Sequence, residues 1–147
     1  MSNMLYNTLS SIVLVMSAFG SKCQDEIKWS FQFNRAENSI EFKAELKEHW
    51  HLYSQHIDEQ LGPIPTEFKF EENTSLERIG EIEEQAVKTI FDENFGGQLD
   101  ILEGTATFTQ KIKWLTPTIL KGSILYMLCN DKGCLPPDVI DFEVELN

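Results

Sequence analysis

Positive charge is scarce in this sequence. Its 147 residues carry 12 Lys and Arg against 24 Asp and Glu, a formal net charge of -12. A nucleic-acid binder needs clustered cations to neutralise phosphates, so no nucleic-acid partner is expected. The same excess makes copies of the chain repel one another, which points to a soluble monomer. No apolar run approaches the ~20 residues that a spanning helix needs. A Ser/His/Asp triad, a phosphate-cradling glycine loop and a paired-carboxylate site are all unreadable, as are repeats, linkers and low-complexity tracts. Cysteine is sparse too, with three residues in all. A chain of this length with 41% hydrophobic residues builds its own core, so it needs no disulfide framework to fold.

The N-terminus differs from the rest. Leu9 to Phe19 is an uncharged apolar run with small polar interruptions, followed by Gly20, Ser21 and a polar stretch. Its length matches a signal-peptide core, although no Lys or Arg precedes it. The expectation is a signal peptide over residues 1–23 and one domain over 24–147; a retained anchor or a packed helix is the alternative. Removal of the segment leaves only Cys129 and Cys134. An even pair in an exported chain suits an oxidising compartment, periplasmic or extracellular.

From Ile27 onwards the hydrophobic period is two. Ile27, Trp29, Phe31 and Phe33 share one face, and Ile40, Phe42, Ala44 and Leu46 another. Trp50–Tyr53 reads as a denser strand, and Phe68 and Phe70 resume alternation after Gly62-Pro63-Ile64-Pro65. Asn73–Glu84 is acidic and weakly patterned, and reads as loop or irregular strand. Asp92–Gly97 is a loop by composition. Ala106 to Trp114 alternates over a long strand, Leu120–Cys129 fits one central strand, and Ile140 to Leu146 alternates again. About eight short strands with turns and no convincing helix predict an all-β fold, an immunoglobulin-like antiparallel β-sandwich.

Cys129 ends a strong strand, and Asn130-Asp131-Lys132-Gly133 reads as a four-residue turn with Gly133 in the left-handed position. The two cysteines then face each other across a hairpin. Opposed Cβ atoms lie about 4.5–5.5 Å apart, and a disulfide needs roughly 3.5–4.5 Å, so the bond forms with some strain and reduces more readily. As a staple it is weak: closing so small a ring is worth about 2 kcal/mol at most. A zinc site built from Cys129, Cys134, His51 and His56 is the third reading, with nothing tying the two histidines to the cysteines. The residues favour thiol–disulfide exchange, which needs no cofactor, over a structural disulfide in a non-catalytic binding module.

Tyr126-x-x-Cys129-x4-Cys134-Leu135-Pro136-Pro137 before an alternating last strand resembles the N-terminal periplasmic domain of the thiol:disulfide interchange protein DsbD. Trp50-His51-Leu52-Tyr53-Ser54-Gln55 is similar to that family's aromatic strand. Gly62–Pro65 resembles the loop that follows it, and Asp92-Glu93-Asn94-Phe95-Gly96 its acidic–aromatic cap loop. The likeness spans roughly residues 25–147. It implies a sandwich whose Cys129–Cys134 pair passes reducing equivalents between thioredoxin-fold proteins, in disulfide correction or cytochrome c maturation. Such a protein is a protein-disulfide reductase component. Asp92, Glu93 and Phe95 would shield the disulfide, Tyr53 would line the site, and His51 stands where the family often has an aromatic. Cys134 would form the mixed disulfide and Cys129 resolve it. The chain departs from the pattern in its cysteine spacing, where the best-known members have five intervening residues, and in Asn94 between acid and aromatic. The membrane helices and thioredoxin domain of full-length relatives are also missing. A separate membrane electron-transfer protein is therefore expected as the donor.

Overall fold

The computed structural model describes residues 25–147; the expected signal peptide and its boundary lie outside the described residues. Among the described residues twelve strands form three antiparallel sheets. The first sheet is built from β1 (Ile27–Asn34), β2 (Ser39–Leu46), β8 (Thr105–Trp114) and β5 (Leu76–Gln85), in that spatial order. The second runs β11 (Gly133–Cys134), β10 (Leu128–Asn130), β3 (His51–Tyr53), β7 (Gly97–Glu103) and β6 (Lys88–Asp92). The third contains β12 (Asp138–Leu146), β9 (Thr118–Tyr126) and β4 (Glu67–Phe70). One 3-10 turn spans Glu59–Leu61. The fold is the all-β antiparallel sandwich expected from the alternation.

The period-two faces become the core. Phe42, Ala44, Ala106, Phe108 and Ile112 from the first sheet are buried with Leu52, Leu102 and Leu128 from the second and Ile124, Phe142 and Val144 from the third. Aromatic rings knit the layers: Phe42 lies 5.0 Å from Phe68 and 4.9 Å from Phe142, and Trp29 lies 5.6 Å from Tyr126. Gly122 is required where β9 passes between its neighbours. A Cβ there would collide with the Lys69 carbonyl oxygen and the Phe142 ring.

Two expectations are corrected and one is resolved. Of the loop and irregular-strand readings of Asn73–Glu84 the strand holds: β5 pairs with β8 on either side of a bulge between Ile79 and Glu83. Its pattern was unreadable because only Leu76 and Ile82 are buried on this sheet edge. Leu120–Cys129 is two strands in two sheets, parted at Met127. The hydrophobic run hid the break because buried residues continue through it. The cysteine turn is also tighter than expected. Asn130 pairs with Gly133, leaving Asp131-Lys132 as a two-residue loop. Asn130 Oδ1 accepts from the backbone N–H of Lys132 at 2.9 Å and of Gly133 at 3.1 Å. Gly133 has φ 154°, not the helical left-handed value of about 57°.

Candidate functional site

Side chains alternate across a strand, so residues in register on neighbouring strands share a face. On the second sheet, Cys134, Cys129, His51 and Glu103 form one such cross-strand row. Tyr53, Ile101 and Lys88 form the next row. Leu99 with Ile90, and Gly97 with Asp92, follow. This is the face turned away from Leu52, Leu102 and Leu128, which belong to the main core. It builds a second, smaller cluster of Tyr53, Leu99, Ile101 and Cys129, against which Phe95, Ile57, Ile90, Met127 and Cys134 pack.

Cys129 and Cys134 are joined by a disulfide with their Cα atoms 4.0 Å apart, directly opposed across the hairpin. Their environments differ. Cys129, on a strand with neighbours on both sides, is fully buried. Cys134, on the two-residue edge strand β11, is partly exposed.

The loop between β6 and β7 closes over this cluster. It is held locally by Gly96 N–H donating to the Asp92 carbonyl at 2.7 Å and by Asn94 N–H donating to Asp92 Oδ1 at 2.8 Å. Gly96 takes φ 67°, which a side chain would disfavour. The Phe95 ring meets Tyr53 edge to face at 5.9 Å. On its other side Phe95 rests against the backbone at Gly62, where an added Cβ would come within 3.1 Å of the ring. Asn94 Nδ2 ties the loop to the cysteine hairpin by donating to the Asn130 carbonyl at 3.0 Å.

Asp92 is the polar anchor. It is buried, and its Oδ2 accepts from the Tyr53 hydroxyl at 2.6 Å. Burial alone would raise its pKa. The Tyr53 hydroxyl, the Asn94 amide and nearby His51 outweigh burial and hold the carboxyl below its ordinary range. Burial, then the bond to Asp92, pushes the Tyr53 phenol far above its ordinary value. His51 Nε2 lies 3.4 Å from the Tyr53 oxygen and 3.6 Å from Asp92 Oδ2. Burial lowers the His51 pKa despite the opposing pull of Asp92 and Glu103. At neutral pH the His51–Asp92 contact therefore joins a carboxylate to a neutral imidazole. It is not an ion pair.

A groove of about 310 Å³ opens beside the hairpin, with buried His51, Asp92 and Ile101 in its lining and exposed Glu93 and Asp131 beside them. Among the sequence-selected residues, Cys129, Cys134, Tyr53, His51, Asp92 and Phe95 thus meet on one sheet face. Glu93 stays exposed on the groove. His56 is exposed on the loop after β3, apart from the cysteines. Among the described residues no group of three or more His, Cys, Asp or Glu is arranged to hold a metal ion. Sequence reasoning missed Asn94, Asn130 as a hydrogen-bond acceptor, and the seat that Gly62 offers Phe95. Asn130 carried a signal as a turn-favouring residue, and Asn94 and Gly62 only as members of loops that the family resemblance pointed to.

The fold is shared with solved structures of low sequence identity. The N-terminal domain of DsbD from Neisseria meningitidis in its reduced form matches with a TM-score of 0.64 and 14% identity, over 85% of this chain and 89% of that one. The complex between the DsbD N-terminal and PilB N-terminal domains of the same organism matches with 0.58 and 14% identity, over 80% of each chain. The N-terminal periplasmic domain of ScsB from Proteus mirabilis matches with 0.54 and 12% identity, over 86% of this chain and 48% of that one. No curated protein matches the chain. The family model described as thiol:disulfide interchange protein DsbD, N-terminal, matches residues 23–146, and the chain belongs to that family.

Proposed function

We propose that this domain carries out thiol–disulfide exchange through Cys129 and Cys134 with a thioredoxin-fold partner in the periplasm. The observation that carries the reading is the asymmetry of the pair: one sulfur sealed in a cluster, the other partly exposed on an edge strand, with the loop aromatic Phe95 packed against the same cluster. A staple has no use for that asymmetry, and a ring this small stabilises by only about 2 kcal/mol. Family membership supports the chemistry. A relative that forms a complex with the PilB N-terminal domain supports a protein partner.

In the proposed mechanism a partner thiolate attacks Cys134 Sγ. A partner–Cys134 disulfide forms, the Cys129–Cys134 bond breaks, and its electron pair leaves on Cys129 Sγ. Attack by Cys129 on the mixed disulfide reverses the step. Phe95 screens the sulfurs from small thiols, Tyr53 and Asp92 hold the loop that carries it, and Glu93 and Asp131 keep anionic thiols at a distance. A mixed-disulfide trap tests this. Cys129→Ala, with Cys134 free, is expected to capture a thioredoxin-fold protein in the periplasm, whereas Cys134→Ala, with its one thiol buried, is not. Capture by neither variant would refute the proposal.

A further inference from the structure

Breaking the disulfide creates a need for a proton at a place that water does not reach. Cys129 is fully buried, and it lies on the same sheet face as the buried Asp92 carboxylate. A bare thiolate there is unfavourable, because burial and a neighbouring anion both raise a thiol pKa. The groove that admits solvent has neither cysteine in its lining. It is lined by His51, and His51 is the direct cross-strand partner of Cys129. Opposed side chains have Cβ atoms about 4.5–5.5 Å apart, within reach of an imidazole. We infer that His51 is the proton carrier for Cys129, taking a proton from the groove and delivering it to the leaving sulfur; this rests on the exchange reading above.

The hydrogen bonds assign the ring nitrogens. The Tyr53 hydroxyl gives its proton to Asp92 Oδ2, so its oxygen is left to accept from His51 Nε2–H. Nδ1 is then the basic nitrogen, and the buried Asp92 supports the imidazolium that forms in transit. The charges facing the ring are Asp92 from β6 and Glu103 from β7, the latter paired with Lys88 at 2.7 Å, with exposed Glu93 and Asp131 on the groove. The other histidine on the groove, His49, is exposed and lies outside the strand row. The step balances. The incoming thiol loses its proton to His51, its sulfur bonds to Cys134, and Cys129 leaves as a thiol when His51 returns the proton. In the reverse direction His51 takes the Cys129 proton as that sulfur attacks the mixed disulfide.

The test is the rate at which dithiothreitol reduces the oxidised protein between pH 5 and 9, divided by the dithiothreitol thiolate concentration. For the wild type this corrected rate is expected to rise as the pH falls through the titration of His51. For His51→Gln it is expected to be flat and at least about tenfold lower at pH 6, a floor set below the roughly 10²–10⁴-fold that positioned acid–base groups typically supply. His51→Phe, which keeps a ring without nitrogens, is expected to match His51→Gln and carries the test if the glutamine variant does not fold. Wild-type and variant profiles that superimpose, while Cys129→Ala still traps a partner, would overturn the role of His51 alone. Capture of no partner by either Cys129→Ala or Cys134→Ala would overturn the exchange reading beneath it.

Discussion

Removing the Tyr53 hydroxyl should cost stability in a way that depends on pH. In Tyr53→Phe the ring still packs against Phe95, but Asp92 Oδ2 loses its 2.6 Å donor and keeps only the distant His51 nitrogen at 3.6 Å. A hydrogen bond to a buried charged group is worth about 1.5–3 kcal/mol, so the expected loss at pH 7 is about 2 kcal/mol. For a domain of this size that lowers the melting temperature by about 8 °C. The sign of the pH effect follows from the carboxyl. In the wild type Asp92 titrates below its unfolded value of 3.8, and its stabilisation is lost only as the pH falls through that lowered value. In the variant one of the groups that outweighs burial is gone, and the folded pKa rises from that lowered value. The gap between the proteins should therefore be full at pH 7 and shrink as the pH falls through the variant's raised value. Urea unfolding of both oxidised proteins at pH 7 and pH 4 measures it. A gap under about 0.5 kcal/mol at pH 7, or one that does not shrink, would refute the reasoning.

Phe95→Ala should open the sulfurs to small thiols and speed reduction by glutathione; stopped-flow measurement of the wild type and variant decides this. Gly62→Ala should act in the same direction, because its methyl would sit 3.1 Å from the Phe95 ring on a backbone at φ 111°. Reduction of the disulfide should destabilise the domain by no more than about 2 kcal/mol, read from urea midpoints of oxidised and reduced protein. Acidification from pH 7 to pH 5 should also cost stability. An unfolded histidine takes up a proton near 6.5 while buried His51 resists it, so the unfolded state binds more protons. His51→Gln should flatten that slope in pH-dependent melts.

The alternation of β1, β2, β8 and β12 was legible because each has one face in the core and one in water. β5 was not, since an edge strand with two buried residues carries no such pattern. The break at Met127 was hidden for the opposite reason: Tyr126, Leu128 and Cys129 are all buried, so hydrophobicity does not mark where one sheet gives way to another. At the site, the opposition of Cys129 and Cys134 followed from hairpin geometry. The meeting of Tyr53, Asp92 and Phe95 was reachable only through family resemblance. The Asn94–Asn130 tether and the Gly62 seat leave no periodic trace, because they join loops distant in sequence. His51 read as a replaced aromatic; its register with Cys129 gives it a chemistry that an aromatic lacks.

The reduction potential of the Cys129–Cys134 pair, measured by equilibration with a glutathione redox buffer, tests the central claim most directly. An exchange pair is predicted to lie above about −300 mV, in the range where thioredoxin-fold proteins donate and accept electrons. A potential well below about −300 mV would mark a structural bond and contradict the account.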